Sequence, residues 1–278
     1  MKKNNIVVIG GGNMGQAFIR CLLRLPGVLP RDITVVERNS TKRQKLAARF
    51  LIKSAPDLSS RLLNQATVVL VAVKPQDFPG VAVLMRGQLP QTGLLISIMA
   101  GVRLATVQTA VDFTRVIRVM PNLPMILGQG FSAWCASRRV TREQKTFIRA
   151  LLSAGGQETE IRDESLFDAI TAVSGSGPAY IFSMVDNLMA AAVRLGIKTD
   201  VAKKMVMQTI KGSVALLEQS ADSPSAWRRR VTSKGGTTAG AFRILDKAHL
   251  DKLWFRALTA AVQRSYSLSV LIDRQLRK

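Results

Sequence analysis

In the first half of the chain, short β-branched runs alternate with stretches whose apolar positions recur every three or four residues. "IVVIG" (Ile6 to Gly10) predicts a buried parallel strand closed by glycine. From Asn13 to about Leu25, residues Met14, Ala17, Phe18, Cys21, Leu22 and Leu25 share one helical face, and Pro26-Gly27 ends the pattern. "DITVV" (Asp32 to Val36) predicts a second strand, completing the strand-helix-strand crossover of doubly wound sheets. A basic helix over Thr41 to Lys53 and a helical segment near Leu58 to Asn64 follow. Then come three strands: "ATVVLVAVKP", closed by Lys74-Pro75; "GLLISIMAG" (Gly93 to Gly101); and "RVIRVMPNLP" (Arg115 to Pro124). "GFSAWCA" (Gly130 to Ala136) alternates as an edge or half-exposed strand does, which predicts a mixed sheet beyond the parallel core.

From about Ala150 onward the strand pattern thins out. "FIRALLSAGG" ends a helix, "QETEI" predicts a last short strand, and Asp163-Glu164-Ser165 opens a long helical stretch. Ser174-Gly175-Ser176-Gly177-Pro178 interrupts two apolar segments, with Pro178 suited to a first helical turn. Ile181, Phe182, Val185, Leu188, Met189, Ala192 and Val193 then line one side of a helix that ends at Gly196. Thr199-Asp200 starts another, running to Leu217. The small and apolar surface around Ala190-Ala191-Ala192 predicts close helix packing or a subunit interface. The pattern divides the chain into residues 1–161, an α/β domain, and residues 162–278, an all-helical domain.

A chain of 278 residues with 47% hydrophobic content supplies a substantial core, which excludes disorder as its main state. The formal net charge of +22, from 40 Lys and Arg against 18 Asp and Glu, raises the question of a nucleic-acid partner. Along the sequence these cations are scattered, with small knots at Lys42-Arg43, Arg138-Arg139 and Arg228 to Arg230, and only 5% of residues are aromatic. That pattern argues against specific nucleic-acid recognition and for a positive surface that favours anionic metabolites and binds polyanions loosely. Cys21 and Cys135 stand far apart and read as buried small hydrophobes of a reducing compartment; with the lone His249 they form no metal site. Glycines interrupt the apolar start where a signal peptide needs an unbroken run, and no apolar run reaches the roughly 18 residues of a membrane helix. The expectation is a soluble, cytoplasmic protein.

Gly10, Gly12 and Gly15 occupy the three positions of a G-x-G-x-x-G turn between a predicted strand and a periodic helix, where backbone approaches a pyrophosphate. After the second strand, Glu37 suits a ribose hydroxyl in the NAD manner, whereas Arg38 with Lys42 or Arg43 suits a 2′-phosphate. The cations outnumber the carboxylate, so NADPH is preferred and NADH remains possible. Near the C-terminus, "VTSKGGTTAGAF" (Val231 to Phe242) is either a plain loop or a nest of backbone N–H groups around a small anion.

"IGGGNMG", "VAVKP" (Val71 to Pro75), "RVMPNLP" (Arg118 to Pro124), "AVSGSGPAY" (Ala172 to Tyr180) and "VTSKGGTT" (Val231 to Thr238) together resemble the pyrroline-5-carboxylate reductase family, in order and over nearly the whole chain. The resemblance implies a Rossmann-type N-terminal domain, an all-helical C-terminal dimerisation domain, and a homodimer that in some members forms a pentamer of dimers. It implies reduction of 1-pyrroline-5-carboxylate to L-proline by NAD(P)H, the last step of proline biosynthesis. Gly10, Gly12, Asn13, Met14 and Gly15 would hold the pyrophosphate, with Arg38, Asn39 and Ser40 at the adenosine ribose. Ala72, Val73, Lys74, Pro75, Met99, Ala100 and Gly101 would line the dinucleotide, and Asn122 would lie near the nicotinamide. Ser233, Gly235, Gly236 and Thr237 would cradle the substrate carboxylate, and Thr238 would bond the ring nitrogen and steer a proton to it.

Two positions depart from the family pattern. Lys234 stands where proline is usual, and its ammonium is expected to point to solvent. A glutamate common before the preceding turn has become Ala221, or is replaced in role by Glu218 or Asp222. His249 lies outside every motif and reads as a surface or structural residue. A hydroxyacid dehydrogenase would want a helix-borne lysine beside the bound carbonyl, and none follows "SGSGPAY" before Lys198.

Overall fold

The computed structural model describes residues 4–276. β1 (Ile6–Ile9) leads into α1 (Asn13–Leu22), and β2 (Ile33–Val36) into α2 (Ser40–Phe50). β3 (Lys53–Ala55) and α3 (Ser60–Asn64) precede β4 (Val68–Val71) and α4 (Phe78–Met85). After β5 (Leu94–Ser97), α5 (Leu104–Val111) and β6 (Val116–Met120), the sheet closes with β7 (Gly130–Ala136), α6 (Arg142–Ser153) and β8 (Gly156–Glu160). Strand order is β3-β2-β1-β4-β5-β6-β7-β8. Pairing is parallel from β3 through β6, antiparallel between β6 and β7, and parallel between β7 and β8. The mixed sheet expected from the sequence is therefore present.

Continuous apolar runs sit in the middle because helices cover both faces. Along β1, Ile6 and Val8 face a cluster containing Phe18, Leu46, Trp134 and Ile148, so α1, α2 and α6 form one layer. Val7 and Ile9 face Leu63, Phe78, Met85 and Val107, so α3, α4 and α5 form the other.

Two local expectations are corrected, and a third gains its geometry. "GFSAWCA" is no edge strand: β7 is mostly buried between β6 and β8, and Ser132 tolerates burial because it is small. The basic helix stops at Phe50 rather than Lys53, with Leu51 in the left-handed region (φ 56°), and Lys53, Ser54 and Ala55 pair with β2 as β3. The interruption before Pro178 is a π-helical turn, Thr171–Gly175, in which the Ser176 N–H donates to Thr171 O at 2.8 Å.

The helical remainder comprises α7 (Phe167–Ile170), α8 (Gly177–Arg194), α9 (Thr199–Glu218), α10 (Pro224–Arg230), α11 (Thr237–Lys247) and α12 (Leu250–Leu276). Gly196 ends α8 at φ 92°, as its cap position predicts. Contacts divide the chain into two compact units, one running to Ser176 and resuming at Thr259, the other spanning Gly177–Leu258. The sequence division after residue 161 follows element type; contacts also join residues 162–176 and the second half of α12 to the sheet. Within that first unit, buried Arg118 on β6 pairs with Glu164 at 2.9 Å and lies 4.5 Å from the Phe167 ring centroid. Glu164 also accepts the Leu104 N–H at 2.7 Å, tying the start of α5 to the same carboxylate.

Candidate active site

The glycine turn lies at the carboxyl ends of β1, β2 and β4. Gly10 adopts φ 101°, and a Cβ there would stand 2.6 Å from Ala72 O. A Cβ on Gly15 would meet Gly10 O at 2.1 Å, so α1 can pack this closely on the turn only with glycine. At Gly12, by contrast, nothing lies within 4 Å. Gly12 is the N-cap of α1 without a side-chain cap, and the first intrahelical bond runs from Gln16 N to Gly12 O. The N–H groups of Asn13, Met14 and Gly15 thus have no helical acceptor. Asn13 is exposed, while Met14 packs against the core and offers only backbone.

Glu37 does something the sequence did not disclose. One carboxylate oxygen accepts the Gly11 N–H at 3.2 Å, the other accepts the Asn39 N–H at 3.1 Å, and Lys42 pairs with the carboxylate at 2.9 Å. Burial opposes its ionisation, but the Lys42 ammonium and the two backbone N–H groups outweigh it and hold Glu37 below the ordinary carboxylate range. Asn39 caps α2, accepting the Lys42 N–H at 2.9 Å. Arg43 donates to the carbonyls of Glu37 and Arg38, which leaves Arg38 and Ser40 exposed at the rim.

Ala72 leaves β4 next to Gly10, its N–H bonded to Ile9 O at 2.8 Å; Val73 and Pro75 are half-buried and Lys74 is exposed. Met99 is buried in the second core cluster, so it can face a ligand only through backbone, whereas Ala100 is half-buried. Gly101 (φ 73°) passes under α12, where a Cβ would stand 3.2 Å from Ser265 O. Asn122 accepts the Phe131 N–H at 2.8 Å and donates to Ser174 Oγ at 3.3 Å, joining the end of β6 to the "SGSG" segment.

In the helical unit, the segment Val231–Gly236 links α10 to α11. Gly235 adopts φ 74°, and the Gly236 N–H donates to Ser233 O at 3.1 Å, forming a tight turn. Gly236 is the N-cap of α11 without a side-chain cap, and Gly240 N makes the first helical bond to Gly236 O. The N–H groups of Thr237 and Thr238 therefore have no helical acceptor. A Cβ on Gly236 would lie 2.4 Å from Ser233 Oγ, so the Ser233 hydroxyl is packed onto the start of α11. Lys234 is exposed and in no ion pair among the described residues. Asp222 is committed to Arg230 at 2.6 Å. Sequence reasoning passed over Arg228, whose guanidinium lies 4.5 Å from the Phe242 ring centroid and 3.5 Å from Asp246, bridging α10 and α11 across the loop. No local spacing marks that partnership.

His249 occupies the turn between α11 and α12, exposed and at φ 49°. Burial pushes the Cys21 thiol up to about 11 and the Cys135 thiol up to about 12, which leaves both protonated and unreactive at neutral pH.

Two stretches of the chain match known family models. A family model described as "Pyrroline-5-carboxylate reductase dimerisation" matches residues 164–268, and one described as "NADP oxidoreductase coenzyme F420-dependent" matches residues 5–101. Relatives named pyrroline-5-carboxylate reductase from Synechocystis sp. and Haemophilus influenzae are each 34% identical, over 94% and 98% of this chain and 97% and 100% of their own length. Among solved structures, the Plasmodium falciparum pyrroline carboxylate reductase with NADP bound gives a TM-score of 0.86 at 25% identity, covering 97% of this chain and 99% of that one. The Coxiella burnetii pyrroline-5-carboxylate reductase gives 0.82 at 31%, covering 96% and 99%. The chain belongs to the pyrroline-5-carboxylate reductase family.

Proposed function

We propose that this protein reduces 1-pyrroline-5-carboxylate to L-proline, the final step of proline biosynthesis, with NAD(P)H as the donor. Within the site, the observation that carries the reading is the start of α11, where Thr237 and Thr238 offer N–H groups without helical acceptors beside the packed Ser233 hydroxyl. Such a group of donors suits a small carboxylate.

Bound NAD(P)H supplies the hydride that adds to the imine carbon. The chain's own part is to hold, orient and protonate. Ser233, Gly235 and Gly236 shape the turn, and the Ser233 hydroxyl with the N–H groups beside it fixes the substrate carboxylate. The Thr238 hydroxyl, half-buried and without a hydrogen-bond partner among the described residues, donates to the ring nitrogen and steers the proton that nitrogen gains. Fixing one end of a small ring and bonding its nitrogen leaves little rotational freedom, which lowers the entropic cost of reaching the transition state. No histidine enters, in keeping with the position of His249.

On the cofactor side, Gly10, Gly12, Asn13, Met14 and Gly15 hold the pyrophosphate. Ala72 to Pro75 and Met99 to Gly101 line the dinucleotide, and Asn122 lies near the nicotinamide. We assign a preference for NADPH, because Glu37 is already occupied by Lys42 and two N–H groups while Arg38, Asn39 and Ser40 stay open to a 2′-phosphate. Residues 1–161 serve as the dinucleotide-binding part, and residues 162–278 bind substrate and dimerise. Exposed Phe182, Leu195 and Ile244 give the helical unit apolar surface suited to a homodimer, and a pentamer of dimers is the larger assembly proposed. The buried thiols suit a cytoplasmic setting.

Initial rates of NADPH and NADH oxidation with the imine test this reading. A higher kcat/KM with NADPH is expected; a clear preference for NADH would overturn the cofactor assignment, and no rate with either would overturn the activity.

A further inference from the structure

The two helical layers on the sheet carry cations unequally. Of the two helical layers on the sheet, the one made by α1, α2 and α6 carries eight lysines and arginines, four in α2, three in α6 and Arg20 in α1, against one acid, Glu143. The layer of α3, α4 and α5 carries one cation, Arg61, and no acid. Two nearby carboxylates take up part of the excess, Glu37 at Lys42 and Glu160 shared by Lys145 and Arg149. The rest is unbalanced. Arg20, half-buried, and Arg49, exposed, both lie within 6 Å of the Phe50 ring centroid and form no salt bridge among the described residues.

From this we propose that the α1-α2-α6 layer is a docking surface for the sugar-phosphate backbone of double-stranded nucleic acid, engaged without regard to base sequence. Exposed cations in excess on one face, with arginines able to grip phosphate oxygens through two parallel N–H groups, supply the electrostatic footprint. A bilayer fits less well, since no exposed large apolar side chain belongs to these three helices. Single strands fit less well because half-buried Phe50, flanked by its two arginines, offers no platform for successive bases. The dimerisation match at 164–268 includes none of the three helices.

The test compares two triple variants of the full chain by titrating a short mixed-sequence duplex DNA across a range of salt. The first is Lys45→Gln, Arg49→Gln and Arg142→Gln, three exposed positions of the layer and none in the proposed catalytic machinery. The second removes equal charge from exposed positions elsewhere in the same unit, Arg61→Gln, Arg86→Gln and Arg274→Gln. Wild type is expected to bind with steep salt dependence. The first variant should lower the slope of log affinity against log salt by about 2 to 3, as loss of that many phosphate contacts dictates, with reductase rate and melting unchanged. The second should stay near wild type. Equal losses in the two variants, no duplex binding by wild type, or tighter binding to phosphatidylserine vesicles than to duplex at the same salt would each overturn the proposal.

Discussion

The carboxylate of Glu37 accepts the backbone N–H of Gly11 at 3.2 Å, so the end of β2 is buckled to the glycine turn that follows β1. The same side chain holds Asn39 N–H and Lys42, making the turn, the β2 end and the start of α2 one piece. Because Glu37 is held below its ordinary 4.5 in the folded protein, its stabilising contribution is complete above that value and lost as pH falls through the folded one. Melting temperature against pH should therefore fall less steeply below that value in Glu37→Gln than in wild type. Identical acid limbs would show that the clasp contributes nothing.

The motif glycines separate two effects. Gly15→Ala places a methyl on Gly10 O and should destabilise the fold by about 1–3 kcal/mol while abolishing dinucleotide binding. Gly12→Ala meets no protein atom, so melting should hold while dinucleotide affinity drops by about tenfold or more, a loss of ~1.4 kcal/mol. Unchanged affinity in Gly12→Ala would remove the pyrophosphate from that side of the turn.

Glu164→Ala leaves Arg118 buried without its partner and frees the Leu104 N–H. Because Glu164 is itself partly exposed, unfolding free energy should fall by about 2–4 kcal/mol, toward the lower end for broken buried pairs. Denaturant titration reads this directly, and a change no larger than that of a surface acid would contradict it.

Ser97 points the other way. Its hydroxyl is fully buried on β5 and lacks a hydrogen-bond partner among the described residues. Ser97→Ala removes a desolvated hydroxyl at little change in volume and should raise stability by about 1 kcal/mol. A lowered denaturation midpoint would mean that the hydroxyl is satisfied in solution.

Thr238→Ala should lower kcat by roughly 10- to 100-fold, in the lower range of general acid–base effects, with a smaller change in substrate KM. Unchanged kcat would take Thr238 out of the chemistry.

Elements whose local pattern and tertiary environment agree were legible in the sequence. The apolar run of β1, the periodic face of α1 and the glycines between them all follow from burial on both sides of a parallel sheet. β3 was not legible because exposed Lys53 and Ser54 and half-buried Ala55 acquire strand geometry only by pairing with β2. α4 was hidden by Pro79 and Gly80, which read as breakers yet sit in its first turn, where proline is tolerated. In the site, the glycine turn and the Ser233–Thr238 loop are short motifs and were visible. The Glu37 clasp depends on which way one carboxylate turns, and the Arg228 bridge joins residues on two helices. The positive layer is a product of topology: α6 is far from α1 and α2 in sequence and becomes their neighbour only when the sheet forms.

The account rests on hydride reaching the imine carbon of a five-membered ring held by the loop before α11. The most direct measurement is the mass and labelling position of the product formed from 1-pyrroline-5-carboxylate and NADPH dideuterated at nicotinamide C4. L-proline carrying a single deuterium at Cδ is the predicted result; unlabelled proline, or no proline at all, would contradict it.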